Sequence, residues 1–212
     1  MNANDVFNRT KKIFGDLAGV QLGQNDIISW INDAQREIAT QHDDLLRTTT
    51  TFASVAGQSS YKLPTNFLNL VVLSFDLFGE YKVLSNVSPR DFEKRFKAHP
   101  NYSDYPIVFS RGENSGYVEV FPAPVASVND YFKLIYTRYP QTITSLADDL
   151  EIPQYYHNTV LDFCLMKAYE MDENLEMYQM KFSQINQQIE RYIQNEAWFD
   201  RSSYPVIQES EY

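Results

Sequence analysis

The chain has 212 residues and a formal charge of −10, with 15% aromatic residues, 15 of them Tyr and 14 Phe. That length supports one sizeable core, or one domain with a substantial insertion. The charge excludes binding modes that neutralise many phosphates, and no run of about 18 apolar residues is present to span a membrane.

In chain order, residues 5 to 17 are expected to form a short helix with Val6, Ile13, Phe14 and Leu17 inward and Lys11 and Lys12 outward. After Gly23, Asp26 is the expected N-cap of a stronger helix running to about Leu46, with Ile27, Ile31, Ala34 and Ile38 on one face and Trp30 beside them. The period then changes. Thr48 to Phe52 is β-branched, Gly57 to Ser60 is a turn, and Tyr61-Lys62-Leu63-Pro64 closes an extended run. Leu68 to Phe78 is almost continuously apolar and bounded by turn residues, which predicts a buried strand; Gly79-Glu80 turns it into a short strand through Tyr81 to Leu84. Ser88-Pro89-Arg90-Asp91 opens a small helix with Phe92 and Phe96 on one face, ending before Pro100. Ile107 to Ser110 and Tyr117 to Phe121 alternate around a Gly-containing loop, and Tyr131 to Tyr139 alternates again.

The last third carries two helical patterns. Val160, Cys164, Ala168 and Met171, widened by Leu161 and Leu165, form one stripe. Leu175, Tyr178, Phe182, Ile185, Ile189 and Tyr192 recur at alternating threes and fours, which puts all six on one seam of the next helix. Beyond Ala197 that pattern stops, yet Trp198, Phe199, Tyr204, Val206, Ile207 and Tyr212 are still supplied. These aromatic and aliphatic residues are the candidate partner-binding positions.

The fold class is therefore α+β. Residues 1–47 and 149–197 are expected to form a helical bundle, and 48–148 an inserted antiparallel β module of roughly five to seven strands with a short helix near 88–98. Residues 198–212 are expected to be an extended tail.

Little in the chain is arranged for chemistry. His42, His99 and His157 are scattered, with no partners at metal-ligand spacing, and solvated or locally hydrogen-bonded roles are expected of them. Cys164 reads as a small buried hydrophobe. The doublets Asp43-Asp44 and Asp148-Asp149 are solubilising, or in the second case cap the next element. No phosphate-cradling glycine loop, nucleophile elbow or calcium loop is present. No catalytic residue, metal site or cofactor is expected. Arg90, Lys94, Arg95 and Lys97 make a local basic cluster, read first as a solvated face and second as a patch for an acidic partner or DNA phosphates. The start, Met1-Asn2-Ala3-Asn4-Asp5, lacks a basic segment followed by an apolar one, so a secretion signal is not indicated and cytoplasmic synthesis is expected.

Three stretches in order carry a resemblance. They are Trp30-Ile31-Asn32-Asp33-Ala34-Gln35-Arg36-Glu37-Ile38, then Tyr61-Lys62-Leu63-Pro64-Thr65-Asn66-Phe67, and then Tyr139-Pro140 followed by Leu146-Ala147-Asp148-Asp149-Leu150-Glu151-Ile152-Pro153 before the closing helices. Together they resemble the head-to-tail adaptor, or connector, proteins of tailed bacteriophages. The resemblance implies a homo-oligomeric ring of about twelve copies that docks on the portal protein, extends the DNA channel and offers a platform to tail or nozzle proteins. Genomic DNA would pass through without specific binding. It also implies a place in the virion neck, assembly in the host cytoplasm, and a C-terminal extension that reaches into the portal. Two other classes remain: a regulatory binding module whose heptad helix zips to a partner helix, and a hydrolase built on scattered carboxylates. The Gln179, Gln184, Gln187, Gln188 and Gln194 series gives the last helix an uncharged polar face that would suit a subunit contact.

Overall fold

The computed structural model describes residues 1–16, 18, 20–42, 44–95, 102–111 and 116–202, with side chains as far as residue 195. It is an α+β protein with five α-helices and two four-stranded sheets among the described residues. Residues 1–45 and the chain from Pro140 onward form one compact unit, and Leu46–Tyr139 forms a second.

The first unit is helical. Helix α1 (Ala3–Phe14) starts at Asn2, whose Oδ1 accepts the Asp5 N–H while Asp5 Oδ2 accepts the Asn2 N–H. This reciprocal box satisfies donors that a helix start leaves over. The next donors go further afield: the Ala3 N–H bonds the Asp148 carbonyl (2.9 Å) and the Asn4 N–H the Leu146 carbonyl (3.0 Å). Gly15, at φ 94, ends the helix in a conformation that suits glycine. The buried line runs through Ala3, Val6 and Thr10, and Phe14 continues it onto the Tyr169 ring. Ile13, expected inward, is 52% exposed because the helix ends one residue later. Leu17 lies outside the described residues.

Helix α2 (Gln24–Gln41) is capped by Gly23, and Asp26, the expected cap, sits in the first turn instead. A Cβ on Gly23 would stand 2.7 Å from the Asp26 carboxylate, so the cap position accepts glycine because Asp26 occupies the space. The helix stops at Gln41, short of the expected Leu46, since the chain must turn before strand β1 (Arg47–Phe52). Between α1 and α2, Asp16 accepts the backbone N–H groups of Val20, Gln21 and Leu22 at 2.8–3.0 Å. Those bonds stabilise its charged form and hold its carboxyl below the usual range.

Two side chains of α2 fix the long connection that precedes the closing helices. Asn32 Nδ2 donates to the Ile143 carbonyl (2.9 Å) and its Oδ1 accepts the Ile143 N–H (2.8 Å). One turn later Gln35 Oε1 accepts the Glu151 N–H (3.0 Å). Asn32 and Gln35 therefore share a helix face and read backbone more than a hundred residues away. Asp148 was expected to cap the next element, but its carboxylate turns back onto the N–H groups of Thr144 and Ser145, both at 2.9 Å. These bonds lower its pKa.

A 3₁₀ turn (Gln154–Tyr156) leads into α4 (His157–Met171), and α5 (Leu175–Ser202) comes after a tight turn. The α4 stripe is buried at Val160, Leu161, Cys164, Leu165 and Ala168, and it shares one cluster with Ile27, Ile31, Ala34 and Ile38 of α2 and Ile185 and Ile189 of α5. Burial in that cluster pushes the Cys164 thiol far above its ordinary range, as expected of an unreactive core cysteine.

The second unit is a pair of sheets. The first has the order β1-β8-β3-β4, all antiparallel, with β3 (Phe67–Leu77), β4 (Glu80–Val83) and β8 (Phe132–Arg138). The second has the order β2-β7-β6-β5, with β2 (Ser60–Lys62), β5 (Ser85–Asn86), β6 (Val108–Arg111) and β7 (Tyr117–Phe121). Eight strands exceed the five to seven expected, and the β5–β6 pair is parallel where an antiparallel module was expected. The two-residue β5 has no period of its own to announce it. Tyr61, Leu73, Phe109, Val118, Val120, Phe132 and Leu134 form a common core drawn from both sheets. Tyr61 Oη accepts the Val55 N–H and donates to the Gln58 carbonyl, and Asn66 accepts the Tyr139 N–H on its carbonyl and the Tyr136 hydroxyl on its Oδ1. The Tyr-x-Leu-Pro-x-Asn-Phe stretch thus ties one end of this unit to the other. Helix α3 (Pro89–Arg95) is capped by Ser88, whose Oγ accepts the Asp91 N–H (3.2 Å), and buries Phe92.

Candidate assembly surfaces

The α4–α5 turn is built by local chemistry. Glu173 takes φ 55, the left-handed conformation that closes a helix end, and Asn174 Oδ1 then accepts the Met177 N–H to start α5. The turn leaves an open cleft of about 220 Å³ between Tyr169, Glu170, Glu173, Asn174, Leu175 and Tyr178. Tyr169 is held by Phe14, with ring centroids 5.6 Å apart, and Tyr178 lies parallel to Phe182 at 6.3 Å. Glu170 is bridged by Lys167. Met171 and Leu175 beside the cleft are 49% and 66% exposed, so the mouth is apolar with an acidic rim.

The six-residue seam of α5 divides. Ile185 and Ile189 are buried, and Tyr192 stacks among Tyr155 and Tyr156 with centroids 5.2 and 5.0 Å away. Leu175 and Phe182 face outward. A polar strut joins α4 to α5 beside the buried half: Lys181 Nζ donates to Asp162 Oδ1 (2.7 Å), Gln188 Nε2 to Asp162 Oδ2 (3.1 Å), and Thr159 Oγ1 to Gln188 Oε1 (2.9 Å). The Lys181 and Asp162 side chains are 15% and 14% exposed, so each satisfies a charge that would otherwise be costly to shield. Of the expected polar face, Gln188 is consumed within the chain, whereas Gln179, Gln184, Gln187 and Gln194 remain on the surface.

The expected tail positions divide as well. The helix does not stop at Ala197 but runs to Ser202, placing Trp198 and Phe199 within α5. An apolar seam is not required to continue a helix whose last turns are Gln, Asn, Glu and Ala, all tolerated there. Tyr204, Val206, Ile207 and Tyr212 lie outside the described residues.

Among the histidines, His42 is buried and its Nδ1 lies 2.9 Å from the Tyr156 hydroxyl, a contact across 114 positions rather than a local one. His157 bonds the Ile152 carbonyl through Nε2 (3.1 Å), and burial pushes its pKa below the usual value. His99 lies outside the described residues. No group of three or more His, Cys, Asp or Glu able to hold a metal occurs among the described residues. Arg90, Lys94 and Arg95 are exposed on α3, and Lys97 lies outside the described residues.

One surface residue escaped the sequence reading. Phe78, expected to end the buried strand, instead sits at the tip of the β3–β4 hairpin at φ 57, with Gly79 next at φ 90. Two successive positive φ angles make the tight hairpin turn whose first central position suits Asn or Gly, not an aromatic. The Phe-Gly pair directly before Glu80 was the available signal. Phe78 is 90% exposed, and only the edge of Tyr105 meets its ring, at 6.2 Å.

Against this geometry, the chain matches the SU10 adaptor protein family over residues 1–208. It belongs to that family. No curated protein matches it.

Proposed function

From membership of this bacteriophage adaptor family, which makes the chain a virion component with an assembly role, we propose that it is a head-to-tail adaptor. About twelve copies form a ring on the portal protein, extend the DNA channel and present a platform to the tail or nozzle proteins. In this reading the helical unit is a bundle carrying the sheet unit as its insertion, and the ring lies in the virion neck. The single observation that carries it is the family match over residues 1–208, which spans both units.

The physical chemistry agrees with assembly rather than turnover. A charge of −10 lets a duplex slide past without gripping it. Exposed apolar groups at Leu175, Phe182 and Phe78 are surface that a subunit keeps for neighbours. A partner helix zipped along the whole α5 seam is disfavoured, because Ile185 and Ile189 are already consumed inside the chain. The segment from Trp198 to Tyr212, with Trp198, Phe199, Tyr204, Val206, Ile207 and Tyr212 as anchors, is proposed to grip the portal.

Co-sedimentation with the purified portal ring of the same phage tests this. The full chain is expected to pellet with portal, and a chain ending at Ser202, which keeps α5 whole, to lose most of that binding at unchanged Tm. A full chain that stays in the supernatant overturns the adaptor reading. A truncated chain that pellets fully overturns only the role of the segment beyond Ser202.

A further inference from the structure

The hairpin tip and the α4–α5 cleft are complementary features of one chain, and neither is filled by it. Phe78 combines a costly backbone conformation with 90% exposure. A bulky residue in the left-handed region costs about 1–2 kcal/mol relative to the right-handed one, and exposing the ring forgoes its burial. Such a residue at a tip is suited to an intermolecular anchor. It does not stand alone. Tyr105 is stacked on Phe75 beneath it, and Val83 and Ile107 are exposed in the same unit.

The cleft, at about 220 Å³, falls below the roughly 300–1,000 Å³ of small-molecule sites. It is sized for one or two side chains. Its walls are Tyr169, Leu175 and Tyr178, with Met171 and Phe182 exposed around the mouth. Its rim carries Glu170 and Glu173, which disfavours an acidic occupant. On the hairpin, Asp76 is engaged by the Gly79 N–H and Glu80 by Lys82, so the tip brings no uncompensated negative charge. Lys133, over the Tyr81 ring, adds a cation beside it.

We propose that Phe78 of one copy inserts into the α4–α5 cleft of the next copy, and that this knob-and-socket contact is the repeating joint of the ring. The inference rests on the adaptor reading. A ring needs two different, mutually complementary surfaces on each copy, and a knob on the sheet unit with a socket on the helical unit supplies them. A specific contact buries on the order of 1,000 Å², so the exposed apolar residues around knob and socket take part in the joint as well.

Two experiments decide it. Phe78→Asn places a residue suited to the left-handed turn, so Tm is expected to hold or to rise by about 2–4 °C, while copy-to-copy association weakens about thirty-fold, the equivalent of about 2 kcal/mol for a lost anchor. Unchanged association at intact Tm overturns the proposal. Loss of portal binding with copy-to-copy association intact also overturns it, because the knob would then belong to portal. In the second, a Phe78→Cys and Leu175→Cys double variant is mildly oxidised on purified portal. Buried Cys164 contributes no background. A ladder of linked chains beyond the dimer is expected. Rings visible on portal without any ladder, or dimers from Phe78→Cys alone, overturn the joint while leaving the adaptor reading in place. Absence of rings with the unmodified chain removes both.

Discussion

The two halves of the α5 seam carry the same apolar spacing and meet different surroundings. Ile185 and Ile189 are 4% and 1% exposed and share a cluster with α2 and α4, whereas Leu175 and Phe182 are 66% and 51% exposed around a cleft. Spacing records which face of a helix is apolar. It does not record whether the cover comes from the same chain or another. In an assembly protein that distinction separates stability from function, and the buried half should respond to mutation through folding, the exposed half through association.

The comparison breaks most easily at its buried end. Ile189→Ala is expected to cost about 2–5 kcal/mol, read as a lower urea midpoint; a cost below about 1 kcal/mol would mean the buried half does not carry the fold. Next comes the clamp that holds the 143–151 connection against α2. Asn32→Ala strands both the N–H and the carbonyl of Ile143, and a loss of about 2 kcal/mol is expected. Lys181→Met leaves Asp162 with only Gln188, for an expected loss of about 1–2 kcal/mol after allowance for partial exposure. At the exposed end, Phe182→Ala should change stability by no more than about 0.5 kcal/mol while weakening association measured by sedimentation.

Acid gives the smallest and most graded probe. His157 is held neutral by burial, with its folded pKa below 6.5, so its contribution is complete above the unfolded value and declines as pH falls from there toward the folded one. Asp16 and Asp148 have lowered pKa values; their contribution is present above 3.8 and is lost as pH falls through the folded values. Melting curves from about pH 7.5 to about pH 5 should show a decline in the parent chain that His157→Gln removes. An equal decline in the variant would assign the sensitivity elsewhere.

The helices and most strands were legible because burial imposes a period, and Val160, Cys164, Ala168, Ile27 and Ile31 obeyed it. What resisted reading lies where partners are distant or the backbone is special. Asn32 and Gln35 looked like ordinary polar helix positions, since the backbone they hold is 111 and 116 residues away. His42 concealed its tie to Tyr156 for the same reason. Phe78 continued the apolar run of β3, and only the turn geometry removes it from that strand. The two-residue β5 is shorter than one period of anything. The anchors beyond α5 are a matter of composition, which names candidates without locating them.

Electron microscopy of portal rings before and after addition of the full-length chain tests the adaptor role most directly. The account predicts an added ring of density coaxial with the portal channel, absent or incomplete when Phe78→Asn replaces the parent chain. Portal particles that look identical before and after addition would contradict it.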